Sequence, residues 1–175
     1  MLNSDRVVHD LLERPEVRAR VAQGLGMDAI PPGAEGRRLI GEVVFARDEQ
    51  LKRLEHILFP LVREAIDSWL ATDEVRSAPM AVVELPMLFE AGMGADFDRI
   101  VLVTAPEEVR MTRHEGRVGL ADFERRASRQ LPESWKRSRS DYVYDNIRSP
   151  EELDEFVAAT VAAIADEASV SRKDR

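Results

Sequence analysis

Residues 81–104, AVVELPMLFEAGMGADFDRIVLVT, decide the fold. Met80 to Leu85 is a short valine-rich run interrupted by Glu84. Arg99 to Thr104 is a second run, with IVLV at its centre. Neither alternates apolar with polar. Continuous runs of this length predict strands covered on both faces, the habit of parallel sheets in α/β proteins. Helical patterns lie on both sides of the pair in the chain, which points to βαβ connections. In open α/β sheets, ligands bind beyond the carboxyl ends of the strands. Glu84, Pro86, Leu88, Phe89 and Glu90 are therefore candidate site residues, with Thr104 to Pro106 beside them.

Upstream of this stretch the pattern is helical. Ser4 or Asp5 can cap a first helix, whose Val7, Val8, Leu11 and Leu12 form one apolar stripe. Pro15 opens a second, with Val17, Val21 and Leu25 on its face. Residues 27–36, MDAIPPGAEG, read as a loop because two prolines and two glycines break any period. Residues 37–76 read as two packed helices. The first buries Leu39, Ile40, Val43 and Val44. The second, capped by Asp48, carries Leu51, Leu54, Leu58, Leu61, Ile66 and Leu70 at helical spacing. Pro60 inside that pattern removes one hydrogen bond and is expected to kink or split the helix near Leu58 or Phe59. Residues 72–79 read as a loop.

Downstream, Pro106-Glu107-Glu108 is a helix start, with proline at the first position and carboxylates at the positive end of the dipole. Further helices are predicted over 120–130 and from Pro132, and a short strand over 141–146, DYVYDN. Ser149-Pro150-Glu151-Glu152 opens a last helix with Leu153, Phe156, Val157, Val161 and Ile164 on its apolar side. A polar tail from Ser169 is expected to fray.

Of the 175 residues, 44% are apolar and 33% charged, which suits one soluble domain with a core of its own. The net charge of −8 gives no general case for nucleic acid or an anionic membrane. With no cysteine in the chain, disulfides and thiolate metal sites are excluded. The opening MLNSDRVVHDLLERPEV has no apolar core of signal-peptide type. No run approaches the roughly 20 apolar residues that span a bilayer. The reading is a cytoplasmic chain. Charge is uneven, however. Between Arg110 and Arg139 stand nine Lys/Arg against four Asp/Glu, in an otherwise acidic chain. Either this is a solvated helical surface, or it receives a local anionic ligand, since arginine grips phosphate oxygens with paired hydrogen bonds.

These residues together resemble the dephospho-CoA kinases. ELPMLFEAG followed by FDRIVLVTAP is similar to that family's signature of an acidic residue, PLLFE, a glycine, and a strand after FD. NSDRVVHDLL resembles its D-A-D segment, with Asp5 at the second aspartate. GRRLIGEVVFARDEQLKRLEHILFPLV resembles its L-D-R…VF…LE.ILHP block. RHEGRVGLADFERRASRQLPESWKRSRSDYVYDN resembles its tail of spaced arginines ending in D-N. The likeness runs from residue 1 to about 165.

The resemblance implies an α/β fold of P-loop kinase type: a three-layer parallel sheet with helices on both faces, a helical acceptor subdomain over 27–76 and an arginine-rich lid over 113–140, in one domain of residues 1–175. It implies ATP with Mg2+ as phosphoryl donor and dephospho-CoA as acceptor, and no metal ligand among the residues matched. Asp5 would accept the proton of the ribose 3′-hydroxyl, a job that suits a carboxylate because phosphoryl transfer needs an oriented hydroxyl. Alone, without the resemblance, Asp5 reads as a helix cap rather than a base. Arg37, Glu84, Leu88, Phe89 and Glu90 would border the acceptor. Arg113 and Arg117 would neutralise charge on the transferring phosphoryl. Arg126, Gln130 and Lys136 match the helices that follow, and Asn146 the turn near the adenine.

Departures from the family are as informative. None of Lys52, Lys136 and Lys173 follows a glycine, so the phosphate-gripping G-x-x-x-x-G-K-[ST] loop is absent. Asn3 replaces the first aspartate of D-A-D, Gly36 that of L-D-R, and Phe59 the histidine of H-P. The expectation is a chain lacking the first strand, phosphate loop and first helix, inactive alone. Its strands at 81–86 and 99–104 would want a shared neighbour, leaving the chain weakly stable or prone to associate. Two alternatives stay open: a protein of this fold that binds CoA-like nucleotides without catalysis, and another nucleotide kinase of the superfamily.

Overall fold

The computed structural model describes residues 1–114 and 127–173. Its strands are short and pair in parallel, as the valine runs predict. β1 (Leu2–Asn3) lies beside β2 (Val83–Glu84), with Leu2 opposite Val83 and Asn3 opposite Glu84. β3 (Val101–Thr104) lies beside β4 (Tyr142–Asp145), with Val101 opposite Tyr142 and Thr104 opposite Asp145. The chain divides into two compact units, Met1–Pro86 and Met87–Arg175.

The first unit is mostly helical. It contains α1 (Ser4–Leu12), α2 (Pro15–Leu25), α3 (Gly33–Ala46), α4 (Asp48–Leu70) and α5 (Asp73–Ser77). Leu11 and Leu12 of α1, Val17, Val21 and Leu25 of α2, Ile40 and Val44 of α3, and Ile57, Leu58, Val62 and Ile66 of α4 are buried. In α2, α3 and α4 the buried positions recur at about four residues, so one stripe per helix leaves water. Fully burying such a side chain contributes about 1.5–3 kcal/mol.

Three expectations are corrected here. α3 starts at Gly33, inside the predicted loop. The 72–79 loop contains α5. α4 is one helix through Pro60, so the expected split is absent. Pro60 is exposed, so the carbonyl one turn back can turn to water, and the buried stripe on the opposite side keeps the helix together. Gly36 has a steric reason of its own. A Cβ there would stand 1.9 Å from the Pro31 carbonyl oxygen. The loop at 27–32 folds back onto the first turn of α3, and any side chain at 36 would displace it.

The second unit holds β3 and β4 with α6 (Glu107–His114), α7 (Glu133–Arg137) and α8 (Pro150–Lys173). A reciprocal capping box starts α8. The Ser149 hydroxyl accepts from the Glu152 N–H at 3.3 Å, and the Glu152 carboxylate accepts from the Ser149 N–H at 3.0 Å. Between them they satisfy two N–H groups that the helix leaves open. The helix continues to Lys173, past Ser169.

α8 packs on the tyrosine face of β4. Tyr144, buried, lies against Phe156 with ring centroids 4.8 Å apart. Near the other end, Glu167 accepts from Arg99 at 2.6 Å and from the Tyr142 hydroxyl at 3.1 Å. Paired residues of parallel strands point to the same side, so Val101 and Val103 share that face with the tyrosines. Yet they are 43% and 56% exposed. The valine run predicts cover on both faces, and here the cover is missing. Val157 and Val161, expected on the apolar side of α8, are also exposed, while Thr160 is buried. The packed stripe is thus centred nearer Phe156 and Thr160 than the apolar residues alone suggest.

Candidate active site

On the first unit, two carboxylates stand at the carboxyl end of the β1–β2 pair. Asn3 ends β1 and caps α1, its Oδ1 accepting from the Arg6 N–H at 2.9 Å. Ser4 and Asp5, the expected caps, are already helical. The Asn3 side-chain amide also donates to Glu84 Oε2 at 2.6 Å. Asn3 thus couples the start of α1 to the last residue of β2. Asp5 follows in the exposed first turn of α1, and Glu84 is exposed as well. This is the end of a parallel pair at which α/β proteins receive ligands.

Arg37 has a different setting. It donates to Glu13 Oε1 at 3.1 Å with its side chain 32% exposed. The same oxygen accepts from the Gly33 N–H at 3.0 Å. Glu13 therefore ties the end of α1 to the beginning of α3. The sequence reading misses it, because nothing local marks a glutamate whose partners lie 20 and 24 residues on.

In the second unit, the turn after β2 carries Leu88 and Phe89, both half-buried. The turn is closed by backbone bonds from Ala91 to Met87 and from Met93 to Leu88, at 2.8 and 3.0 Å. Phe89 meets Trp135 of α7 edge-on, with centroids 5.4 Å apart and planes at 89°. Such geometry sets the positive ring edge against the negative face. The Arg139 guanidinium covers Trp135 at 3.8 Å. Glu90 forms an ion pair with Lys136 at 2.7 Å, each side chain only 10% exposed. The same oxygen accepts from the Leu131 N–H at 2.9 Å.

Arg113 and Asn146, both expected near the nucleotide, are in contact. Arg113 Nη2 donates to the Asn146 carbonyl oxygen at 2.9 Å. The Asn146 N–H donates to the Thr104 carbonyl at 2.7 Å, which brings the turn after β4 to the end of β3. Arg113 is exposed. A guanidinium has five N–H donors, so its tie to one carbonyl leaves the group able to meet an anion. Gln130 is exposed. Arg117 and Arg126, and the helix predicted over 120–130 up to residue 126, lie outside the described residues.

With this geometry in view, comparison with known proteins decides the family. Residues 4–152 match the family described as dephospho-CoA kinase. The chain belongs to the dephospho-CoA kinase family. A dephospho-CoA kinase of Brucella melitensis is 33% identical over 135 residues, which is 76% of this chain and 68% of that protein. One from Mesorhizobium japonicum is 34% identical over 167 residues, covering 94% and 82%. Among solved structures, a Thermus thermophilus protein superposes with a TM-score of 0.73 at 30% identity, over 93% of this chain and 83% of that one. The dephospho-CoA kinase of Campylobacter jejuni gives 0.64 over 95% and 85%. Its 19% identity speaks for the fold alone. The α/β fold of P-loop kinase type is that of this family.

The family implies ATP as phosphoryl donor. Among the described residues, no three His, Cys, Asp or Glu side chains gather to hold a metal ion, and the sequence has no glycine-rich phosphate loop. No helix among the described residues is long and apolar enough to cross a membrane.

Proposed function

We propose that this chain provides the acceptor side of ATP-dependent phosphorylation of dephospho-CoA at its ribose 3′-hydroxyl, the last step in making coenzyme A, as a cytoplasmic protein. The observation that carries the reading is the pair of exposed carboxylates, Asp5 and Glu84, at the carboxyl end of parallel strands, with Asn3 bonded to Glu84. In the reaction the 3′-oxygen attacks the γ-phosphorus and the bond to the β-phosphate oxygen breaks. ADP departs, and the hydroxyl proton passes to the Asp5 carboxylate. By the family pattern, Arg37, Glu84, Leu88 and Phe89 would contact the acceptor. Arg113 and Asn146 face the nucleotide, and Arg117 adds positive charge to the phosphoryl. The stretches 27–76 and 113–140 serve as acceptor subdomain and arginine-rich region.

Residues 1–175 by themselves transfer no phosphoryl group, because their sequence lacks the G-x-x-x-x-G-K-[ST] loop that cradles the donor phosphates. The same lack supports a second reading, a chain that binds CoA-like nucleotides without catalysis. Calorimetric titration with dephospho-CoA, and coupled detection of ADP, test both. Binding without ADP formation is expected. Substitution Asp5→Asn should leave the affinity within about threefold, since a base that acts in the transition state adds little to ground-state binding. Failure to bind dephospho-CoA sinks the acceptor reading. ADP formation that depends on dephospho-CoA overturns the claim of inactivity.

A further inference from the structure

The resemblance assigns Glu90 to the acceptor pocket, yet its carboxylate is committed elsewhere. Oε1 receives both the Lys136 ammonium at 2.7 Å and the Leu131 N–H at 2.9 Å. Oε2 is closed off from solvent and has no partner among the described residues. A carboxylate in this state is not presented to a soluble ligand. It depends instead on Lys136, because a buried charge that loses its partner is left uncompensated. Around the pair, Phe89 on the Glu90 side meets Trp135 on the Lys136 side. The contacts therefore join two short segments, the turn at 87–93 and the stretch at 131–137.

We propose that Glu90 and Lys136 are a positioning pair. They fix residues 131–137 on the turn at 87–93 and do not themselves touch the acceptor. The inference rests on the reading above that this turn borders dephospho-CoA. Leu88 and Phe89 remain to meet the acceptor, and the buried pair determines where they stand. The device is electrostatic rather than steric: it needs a cation at 136, whereas the length of the side chain alone is not enough.

Amide hydrogen exchange and dephospho-CoA titration of the 175-residue chain test this. In Lys136→Met, exchange at 131–137 should rise about tenfold or more as local opening becomes easier, and affinity should fall with it. Lys136→Arg keeps the cation and should restore both to within about threefold of wild type. Methionine matches the apolar stem of lysine, so a packing role alone would favour Met over Arg. The proposal is overturned if Lys136→Met keeps wild-type exchange, whatever its affinity, or if Lys136→Arg exchanges as fast as Lys136→Met. Should Lys136→Met fail to fold, Glu90→Leu/Lys136→Met removes both buried charges at similar volume. Its Leu131 amide, now without an acceptor, should exchange faster, and wild-type protection there overturns the proposal. If the wild-type chain binds no dephospho-CoA, the acceptor reading fails, and the exchange comparison still decides the pair.

Discussion

At the level of single residues, Asn3 shows how a departure from the family pattern acquires a physical reason. Its carbonyl oxygen caps α1 and its amide donates to Glu84. An aspartate would cap as well, but it would set a second carboxylate against Glu84 in place of a donor. One carboxyl of such a pair has its pKa raised in the folded state. The contribution of the contact is then present at low pH, where that carboxyl is protonated and can donate, and is lost as pH rises. Asn3→Asp should therefore cost about 1 kcal/mol at neutral pH, the net worth of one hydrogen bond, and recover near pH 4. Urea denaturation at the two pH values measures it; equal stability at neutral pH would refute it. The sequence shows that Asn3 is unusual for the family without showing why, since Glu84 is 81 residues away. Glu90 was illegible for the same cause. Its place in PMLFE is readable, but its burial depends on Lys136, which the sequence offers only as one cation in a basic stretch.

For helices and strands, legibility followed period. The helices of the first unit are readable because their apolar residues recur at three and four, and Pro60 misleads only because its exposure is invisible in sequence. The strands are readable as parallel, but a valine run encodes fitness for a pleated backbone rather than the presence of cover, hence the open Val101 and Val103. α8 adds a pH test. Hydrogen bonds from Arg99, then from the Tyr142 hydroxyl, hold the Glu167 carboxyl below its ordinary range. A carboxyl depressed on folding adds stability above its unfolded pKa and loses it as pH falls through the folded one. The C-terminal half of α8 should detach first in acid, below about pH 4, with amide protection lost near residue 167 while the capped start holds. Glu167→Gln should remove that pH dependence. If protection near residue 167, relative to the intrinsic exchange rate at each pH, is no weaker at pH 3.5 than at neutral pH, or the glutamine variant keeps the transition, the anchor lies elsewhere. In the first unit Ile66, 2% exposed, has no such dependence. Ile66→Ala should lower stability by about 2–5 kcal/mol at any pH, read by urea denaturation.

Across the whole molecule, the described sheets contain two strands each, β1 with β2 and β3 with β4. A two-stranded sheet is marginal unless helices bury its apolar face. In the second unit α8 covers the tyrosines of β4, while Val101 and Val103 on the same face stay exposed and β3 has no second strand neighbour among the described residues. An open strand edge beside exposed valines invites another chain to pair with it. The isolated chain should therefore associate as its concentration rises into the tens of micromolar, the range in which exposed edges and apolar surface drive aggregation. Sedimentation equilibrium reads this directly. Val101→Lys/Val103→Lys places charges along the open strand without touching the helical core, and should shift the population to monomer. Wild-type chain that stays monomeric across that range, or a lysine variant that associates as strongly, would mean that these valines are not what brings copies together.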